Sequence, residues 1–292
     1  MATVIRKEKN LDWAPARAGL IGELLRRAGR LNEEQVEMVL ARQRERGIRF
    51  GEAAVELGLV QEAELRHALA QQFDYSVAEY GSSSLDTALF AAYEPLGASA
   101  EALRQLRSEL KLRWFSEQRR LLTVLEARGG KASAQLAANL AIAFSQTGER
   151  TLLIDTNLRT PRQRELFGLE DDEGLTQILA GRLPLAVGLA SVQGFPHLSV
   201  LCAGAAVPNP QELLARANFA DLMEVLPVSF DVVIATAPPL LEYADAQLIA
   251  ARCGGCLLVT ERDATRVADI EATKARLAPT GAKLVGAVML EA

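Results

Sequence analysis

Residues 123–159 read TVLEARGGKASAQLAANLAIAFSQTGERTLLIDTNLR, and this stretch decides the fold. A branched apolar run is followed by a loop with two glycines, an alanine-rich amphipathic segment and a second apolar run. Short, nearly continuous apolar runs are typical of strands buried on both faces, and the segment between them has helical spacing. The stretch therefore predicts a strand, a glycine loop, a helix and a parallel strand, which is how many phosphate-binding domains begin.

The rest of the C-terminal part repeats this alternation. Amphipathic segments such as 134–146, 211–226 and 265–277 separate short apolar runs. The predicted strands are these runs: 121–127, 150–156, 198–204, 230–237, 256–261 and 283–290. Because strands alternate with helices, we predict an α/β fold with a mostly parallel sheet and helices on both faces.

The glycine loop lacks the residues that usually bind phosphate and metal. A working phosphate loop reads G-x-x-x-x-G-K-[ST], in which the lysine contacts the phosphates and the hydroxyl holds Mg²⁺. Counted back from the helix, the last glycine, the lysine and the hydroxyl fall on Ala132, Ser133 and Ala134. Lys131 stands two residues too early to replace the lysine by geometry.

Composition excludes several classes of protein. The 292 residues carry a net charge of -5, with two histidines and three cysteines. This charge argues against nucleic acid as a partner, and the few histidines and cysteines give neither a metal-ligand pattern nor a disulfide framework. The amino terminus has no apolar leader core and no run is long enough to span a bilayer, so we expect a cytoplasmic protein.

An internal repeat precedes the α/β part. With an offset of 29 residues, IGELLRRAGRLNEEQVEMVLARQ (21–43) lies over FGEAAVELGLVQEAELRHALAQQ (50–72). Each copy predicts a helix pair, with Asn32 and Gln35 as a capping box and Gly29 and Gly58 as helix C-caps. We therefore predict a small all-α repeat domain before the sheet.

The predicted domain boundaries follow from these patterns. They are an N-terminal tail at 1–15, a helical two-repeat domain at 16–76, a linker at 77–98 and the α/β domain at 99–292.

Three segments of the α/β part carry a resemblance to a known family. The segments are GERTLLIDTNLRTPRQRELFGL (148–169), AGAAVPNPQELL (203–214) and FDVVIATAPPLLEYADAQLIA (230–250). Their order and spacing resemble the bacterial tyrosine kinases of exopolysaccharide export, which are relatives of the MinD/ParA ATPases. The resemblance implies a P-loop NTPase-like domain over about residues 99–290. The repeat domain resembles the N-terminal module of type II secretion ATPases.

The resemblance also places the family's active site on this sequence, where it is degenerate. Asp155 matches the first acid of the family's LLIDADLR, but Asn157 replaces the second, and Thr236 replaces the aspartate of IIDTPP. We therefore predict a catalytically defective protein with no catalytic residue and no cofactor; the alternative is ATP or ADP with Mg²⁺. The predicted residues of the weak nucleotide site are Arg128, Gly129, Gly130, Lys131, Ser133, Asp155, Asn157 and Thr236.

The leading functional hypothesis is a scaffolding or regulatory subunit of exopolysaccharide biosynthesis or export. Its expected partner is a membrane chain-length determinant or polysaccharide synthase complex, which would hold it at the inner face of the membrane. Glu101, Arg104 and Arg107 match the family's E-x-x-R-x-x-R motif and lie on one helical face, where the resemblance implies a homo-oligomer interface.

Two other interpretations stay open. One is an active ATPase or protein-tyrosine kinase that controls polysaccharide chain length. The other is a regulatory subunit that responds to cyclic di-GMP, because Arg49, Gly51, Gly58 and Gln72 fit the pattern by which some secretion ATPases bind it. The first repeat has Leu20 in place of that arginine, which weakens this interpretation.

Overall fold

The computed structural model describes residues 21–62, 64–65, 68–69, 76–78 and 83–291. The chain divides into two compact units, Met1–Asp74 and Tyr75–Ala292.

Three helices of the first unit lie wholly within the described residues: α1 (Ile21–Arg27), α2 (Glu33–Arg46) and α3 (Phe50–Glu56). The predicted capping box is confirmed, since the Asn32 side chain accepts from the Gln35 N–H at 2.8 Å and the Asn32 N–H donates to Gln35 Oε1 at 2.9 Å. Gly29 and Gly58 have φ of 68° and 66°, as a left-handed helix end requires.

The repeat-related glycines Gly22 and Gly51 allow helices to approach closely. A Cβ at Gly22 would lie 3.0 Å from the Phe50 ring, and one at Gly51 would lie 2.6 Å from Leu65 Cδ1. The two copies of the repeat therefore use glycine at the same structural position. The last helix of the predicted pair lies partly outside the described residues.

The second unit has ten α-helices and seven strands among its described residues. The helices are α4 (Phe90–Tyr93), α5 (Ala98–Arg113), α6 (Lys131–Ser145), α7 (Gln163–Phe167), α8 (Leu175–Leu179), α9 (Leu185–Gly188), α10 (Pro210–Ala215), α11 (Ala217–Ser229), α12 (Asp245–Cys253) and α13 (Val267–Leu277). The strands are β1 (Leu121–Glu126), β2 (Thr151–Ile154), β3 (Leu189–Val192), β4 (Phe195–Leu201), β5 (Val232–Thr236), β6 (Gly255–Glu261) and β7 (Lys283–Leu290).

The strands form one sheet in the order β3-β4-β2-β5-β1-β6-β7. Every neighbouring pair is parallel except β3 and β4, which are antiparallel. The predicted mostly parallel α/β sheet is confirmed. The edge strand β3 was missed because its four residues are only partly buried and form no continuous apolar run.

Helix α6 is the central helix of one face of the sheet. All of its residues from Ala132 to Ser145 except Gln135 are buried, and the core around it includes Leu89, Tyr93 and Leu103. Leu89 and Tyr93 belong to the stretch predicted as a linker, so this part of 77–98 contributes to the core of the second unit. Helices α11 and α12 contribute to a second core, which includes Phe219 and Ile249.

Strand register brings the predicted site residues to one edge of the sheet. Val124 of β1 pairs with Thr236 of β5, and Ile154 of β2 pairs with Ala235. Because these strands are parallel, the residues at their carboxyl ends lie side by side, which is where ligands bind in open α/β sheets.

Candidate functional site

The loop between β1 and α6 has a backbone that requires glycine. Gly129 and Gly130 have φ of 89° and 100°, a conformation that other residues rarely adopt. A Cβ at Gly130 would also lie 3.4 Å from the Pro239 ring. The predicted glycine loop therefore exists, and it leads directly into the amino terminus of a 15-residue helix.

Glu126, the last residue of β1, turns its carboxylate into this loop. Its Oε2 accepts the Ser133 backbone N–H at 2.8 Å, and only 5% of the residue is exposed. Burial raises the pKa of the Glu126 carboxyl, while hydrogen bonds from Ser133 oppose that rise. The N–H that would face an anion at this helix end is thus bound to a carboxylate of the same chain.

The positions of the usual lysine and hydroxyl face inward. Ser133 is 1% exposed, and its hydroxyl donates to the Gly130 carbonyl at 3.1 Å. Ala134 is also buried. Neither residue offers a cation or a metal-binding oxygen to the loop.

The two basic residues of the loop are on the surface. Lys131 is exposed at the first residue of α6. Arg128 is exposed too, and its Nε lies 3.3 Å from Asp269 Oδ1 at the start of α13. The structure therefore does not place either charge inside the loop.

Asp155 follows β2 and is 1% exposed. Its Oδ1 accepts the Thr236 hydroxyl at 2.7 Å, and its Oδ2 accepts the backbone N–H groups of Arg162 at 2.9 Å and Gln163 at 3.0 Å. The Asn157 N–H adds a longer bond of 3.3 Å. Burial raises the pKa of the Asp155 carboxyl, and these hydrogen bonds oppose the rise. The carboxylate thus holds the start of α7 and the end of β5 together.

Asn157 shapes the turn after β2. Its Oδ1 accepts the N–H groups of Arg159 at 3.3 Å and Thr160 at 3.1 Å, and its Nδ2 donates to Thr160 Oγ1 at 3.1 Å. This is the turn-forming use of an asparagine side chain. The amide that replaces the family's second acid is therefore engaged within its own loop.

Three residues that the sequence did not single out connect the site. Gln163 Nε2 donates to the Ala134 carbonyl at 3.1 Å and so joins α7 to α6. Arg159 Nε lies 2.6 Å from Oδ2 of Asp245, which is 1% exposed. The pairing of Arg159 with Asp245 depends on long-range packing, and no local pattern of the sequence indicates it.

The predicted interface residues make contacts within their own unit. Arg104 Nε donates to Glu101 Oε2 at 2.9 Å, and Arg104 also bonds to the Pro95 carbonyl. Arg107 Nη1 donates to the Ala143 carbonyl near the end of α6 at 2.5 Å. Both arginines are half-buried, and the oligomer interface stays a prediction.

The residues of the predicted cyclic di-GMP site have structural roles where they are described. Arg49 is exposed and precedes α3, while Gly51 and Gly58 serve the packing and the helix end given above. Gln72 lies outside the described residues. Ligand binding by this set stays a prediction.

The chain is similar in sequence to named bacterial tyrosine-protein kinases. Tyrosine-protein kinase YwqD of Bacillus subtilis is 32% identical over 207 residues, which cover 71% of this chain and 87% of YwqD. The chain belongs to the bacterial tyrosine kinases of exopolysaccharide synthesis. The kinase domain of the Escherichia coli tyrosine kinase ETK is a structural neighbour, with 27% identity, a TM-score of 0.67 and coverage of 70% of this chain and 79% of that domain. No family model matches the chain.

A more distant neighbour shows the fold alone. It is the septum site-determining protein MinD of Pyrococcus horikoshii, which is 20% identical with a TM-score of 0.51 and covers 58% of this chain and 69% of MinD. The predicted P-loop NTPase-like fold is confirmed. The likeness of residues 16–76 to the secretion ATPase module has no support from these comparisons and stays a prediction.

The prediction that this chain has no cofactor is wrong. Its sequence relatives are named tyrosine-protein kinases, a class of enzyme that takes phosphate from ATP. The prediction failed because missing catalytic residues were taken as evidence against binding, whereas the fold's glycine loop and helix terminus are retained.

The described residues nevertheless fit a magnesium nucleotide poorly in the conformation observed. The Ser133 N–H is bound to Glu126, the Asp155 carboxylate accepts four hydrogen bonds from the protein, and Asn157 and Thr236 are neutral. A phosphate and a metal ion would need these same groups.

Proposed function

We propose that the chain is a phosphotransfer-defective member of its family that acts as a regulatory or scaffolding subunit in exopolysaccharide biosynthesis or export. The observation that carries this proposal is the buried Ser133 at the position of the family's lysine, with its hydroxyl bound to the loop. Nucleotide remains the ligand of the site. Transfer of its phosphate is the step that we propose to be lost.

The size of the expected defect supports this proposal. Catalysis of phosphoryl transfer consists almost entirely of positioning and of charge stabilisation by metal ions and cationic side chains. Removing a single stabilising donor from an active site typically costs about 3–4 kcal/mol of transition-state stabilisation. This chain lacks the lysine, the metal-binding hydroxyl and two of the acids together, so little rate would remain even if the losses are not additive.

The proposed partner is a membrane chain-length determinant or a polysaccharide synthase complex. None of the described helices is long and apolar enough to cross a bilayer. A partner in the membrane would then bring the chain to the inner face, as the proposed role requires.

We also propose that the subunit forms homo-oligomers through α5. Glu101 and Leu112 of this helix are both exposed, Leu112 to 83%, so both side chains are accessible to a neighbouring subunit. Sedimentation of the wild type and of Leu112→Glu would test this contact. We expect a smaller species for the variant, and identical sedimentation of a larger species in both proteins would argue against α5.

Reversion of the lost residues tests the phosphotransfer proposal. Purified wild type and a variant with Ser133→Lys, Ala134→Ser, Asn157→Asp and Thr236→Asp would be incubated with γ-labelled ATP and Mg²⁺. We expect no labelled protein or free phosphate above background from the wild type. Robust turnover by the wild type would reject the proposal in favour of an active kinase or ATPase.

Cyclic di-GMP binding by the repeat domain is a second proposal, supported by the exposed guanidinium of Arg49. The apolar groove on α3 argues against it, because carboxylates of Glu52, Glu56 and Glu62 line the groove and would repel phosphates. Calorimetry of the wild type and of Arg49→Ala with cyclic di-GMP tests whether the repeat domain binds this ligand through Arg49. Equal heats for the two proteins would end this proposal.

A further inference from the structure

The Glu126 carboxylate lies where a helix amino terminus binds anions. The first N–H groups of a helix have no partner within it, and the helix dipole favours negative charge there. In α6 the Ser133 N–H is one of these groups, and it donates to Glu126 Oε2 at 2.8 Å. Phosphate-binding loops direct the same kind of N–H at phosphate oxygens.

The setting of Glu126 shows that the loop encloses this carboxylate. The residue is 5% exposed, and a Cβ at Gly129 would lie 3.6 Å from its Oε1. Leu240 donates its N–H to the Glu126 carbonyl, which fixes the backbone of the residue against the segment after β5. A buried charge is costly unless hydrogen bonds compensate it, so the contact with the helix terminus is what retains the carboxylate here.

We propose that Glu126 is an intramolecular competitor of nucleotide phosphate, which binds the loop only when the Glu126 carboxylate leaves the Ser133 N–H. Both anions require the same donor, and two negative charges a few ångströms apart repel each other. In this exchange the Glu126 side chain would rotate away from the Ser133 N–H while its backbone stays paired with Val259 of β6. Binding of nucleotide and release of Glu126 are thus a single exchange.

The inference rests on the proposed function only for the identity of the ligand. Its readout is binding, whereas the proposed function is tested by phosphate transfer, so the two can fail separately. If the wild type transfers phosphate, the proposed function is rejected. The competition between Glu126 and nucleotide phosphate would still be tested separately, by the affinities of the variants for ADP.

Calorimetry with Mg-ADP tests the competition. The proteins are wild type, Glu126→Ala, Glu126→Gln and a control, Glu117→Gln, which removes the same charge from an exposed residue before β1 at the opposite edge of the sheet. We expect Glu126→Ala to bind ADP at least tenfold more tightly than wild type, which corresponds to about 1.4 kcal/mol. Glu126→Gln keeps an acceptor for the N–H without the charge and should fall between them, and the control should match wild type.

Two results would overturn the inference. One is an affinity of Glu126→Ala within twofold of wild type, or no measurable ADP binding by that variant, while circular dichroism shows it folded. The other comes from the wild type alone and covers the case in which the variants do not fold. A crystal structure with ADP in the loop should show Glu126 away from the Ser133 N–H, and ADP bound with that hydrogen bond intact would contradict the exchange.

Discussion

Replacing Asp155 tests whether its carboxylate stabilises the fold or serves only to bind a ligand. In Asp155→Ala, the backbone N–H groups of Arg162 and Gln163 and the Thr236 hydroxyl lose their acceptor. Leaving a buried donor unsatisfied costs about 1–3 kcal/mol, and Gln163 is fully buried. Removal of a desolvated charge, whose burial raises its pKa, offsets part of this loss. We therefore expect Asp155→Ala to lower the free energy of unfolding by about 3 kcal/mol.

The matched variant Asp155→Asn should be milder. Its remaining oxygen can accept from Arg162 and Gln163, while its amide can donate to a rotated Thr236 hydroxyl. The 3.3 Å bond from Asn157 is then lost and the Thr236 hydroxyl proton loses Asp155 as its acceptor, and we expect a cost of about 1 kcal/mol. Urea denaturation of the second unit, followed by far-UV circular dichroism, measures both values. If Asp155→Ala were as stable as wild type, or less perturbed than Asp155→Asn, the structural role would be refuted.

Two further variants test contacts around the same sheet. Asp245→Asn should destabilise by about 3 kcal/mol, because it leaves Arg159 with an incomplete partner in a largely buried pair; an unchanged urea midpoint would contradict this. The Arg150 guanidinium lowers the pKa of the Asp231 carboxyl below its usual 3.8, so this carboxylate stabilises the fold above about pH 4 and loses its effect as pH falls through the lowered pKa. Midpoints of wild type and Asp231→Asn should therefore differ at pH 7 and converge toward pH 2, and a constant difference would argue against the pair.

The fold was predictable because its central strands are buried on both faces. The segment 232–235 is apolar throughout, and β5 is buried along its whole length, which requires a sheet with a helical layer on each side. The edge strand β3 has one solvated side and gives no such signal. The capping box at Asn32 was predictable because both of its partners lie within four residues of each other.

The site was predictable in position but not in its internal contacts. Asp155 and Thr236 could be expected near each other because each lies at the carboxyl end of a buried parallel strand, and the Thr236 hydroxyl does donate to Asp155 Oδ1; binding of nucleotide by these residues stays a prediction. Glu126 was missed because a glutamate at the end of a strand is more often in solvent, and the sequence does not show which way its side chain turns. The bond of Arg107 to the Ala143 carbonyl near the end of α6 was also missed, because tertiary packing decides which half-buried arginines find a carbonyl. The place of Arg107 at an oligomer interface stays a prediction.

Phosphate release from ATP tests the central claim most directly. Purified wild type and Lys131→Ala would be compared in the presence of γ-labelled ATP and Mg²⁺, since Lys131 is the one lysine of the loop. The degenerate loop predicts that both proteins release no more phosphate than a heat-denatured control. Release by the wild type that disappears in Lys131→Ala would show that the loop transfers phosphate with a displaced lysine, and it would contradict the proposed loss of activity.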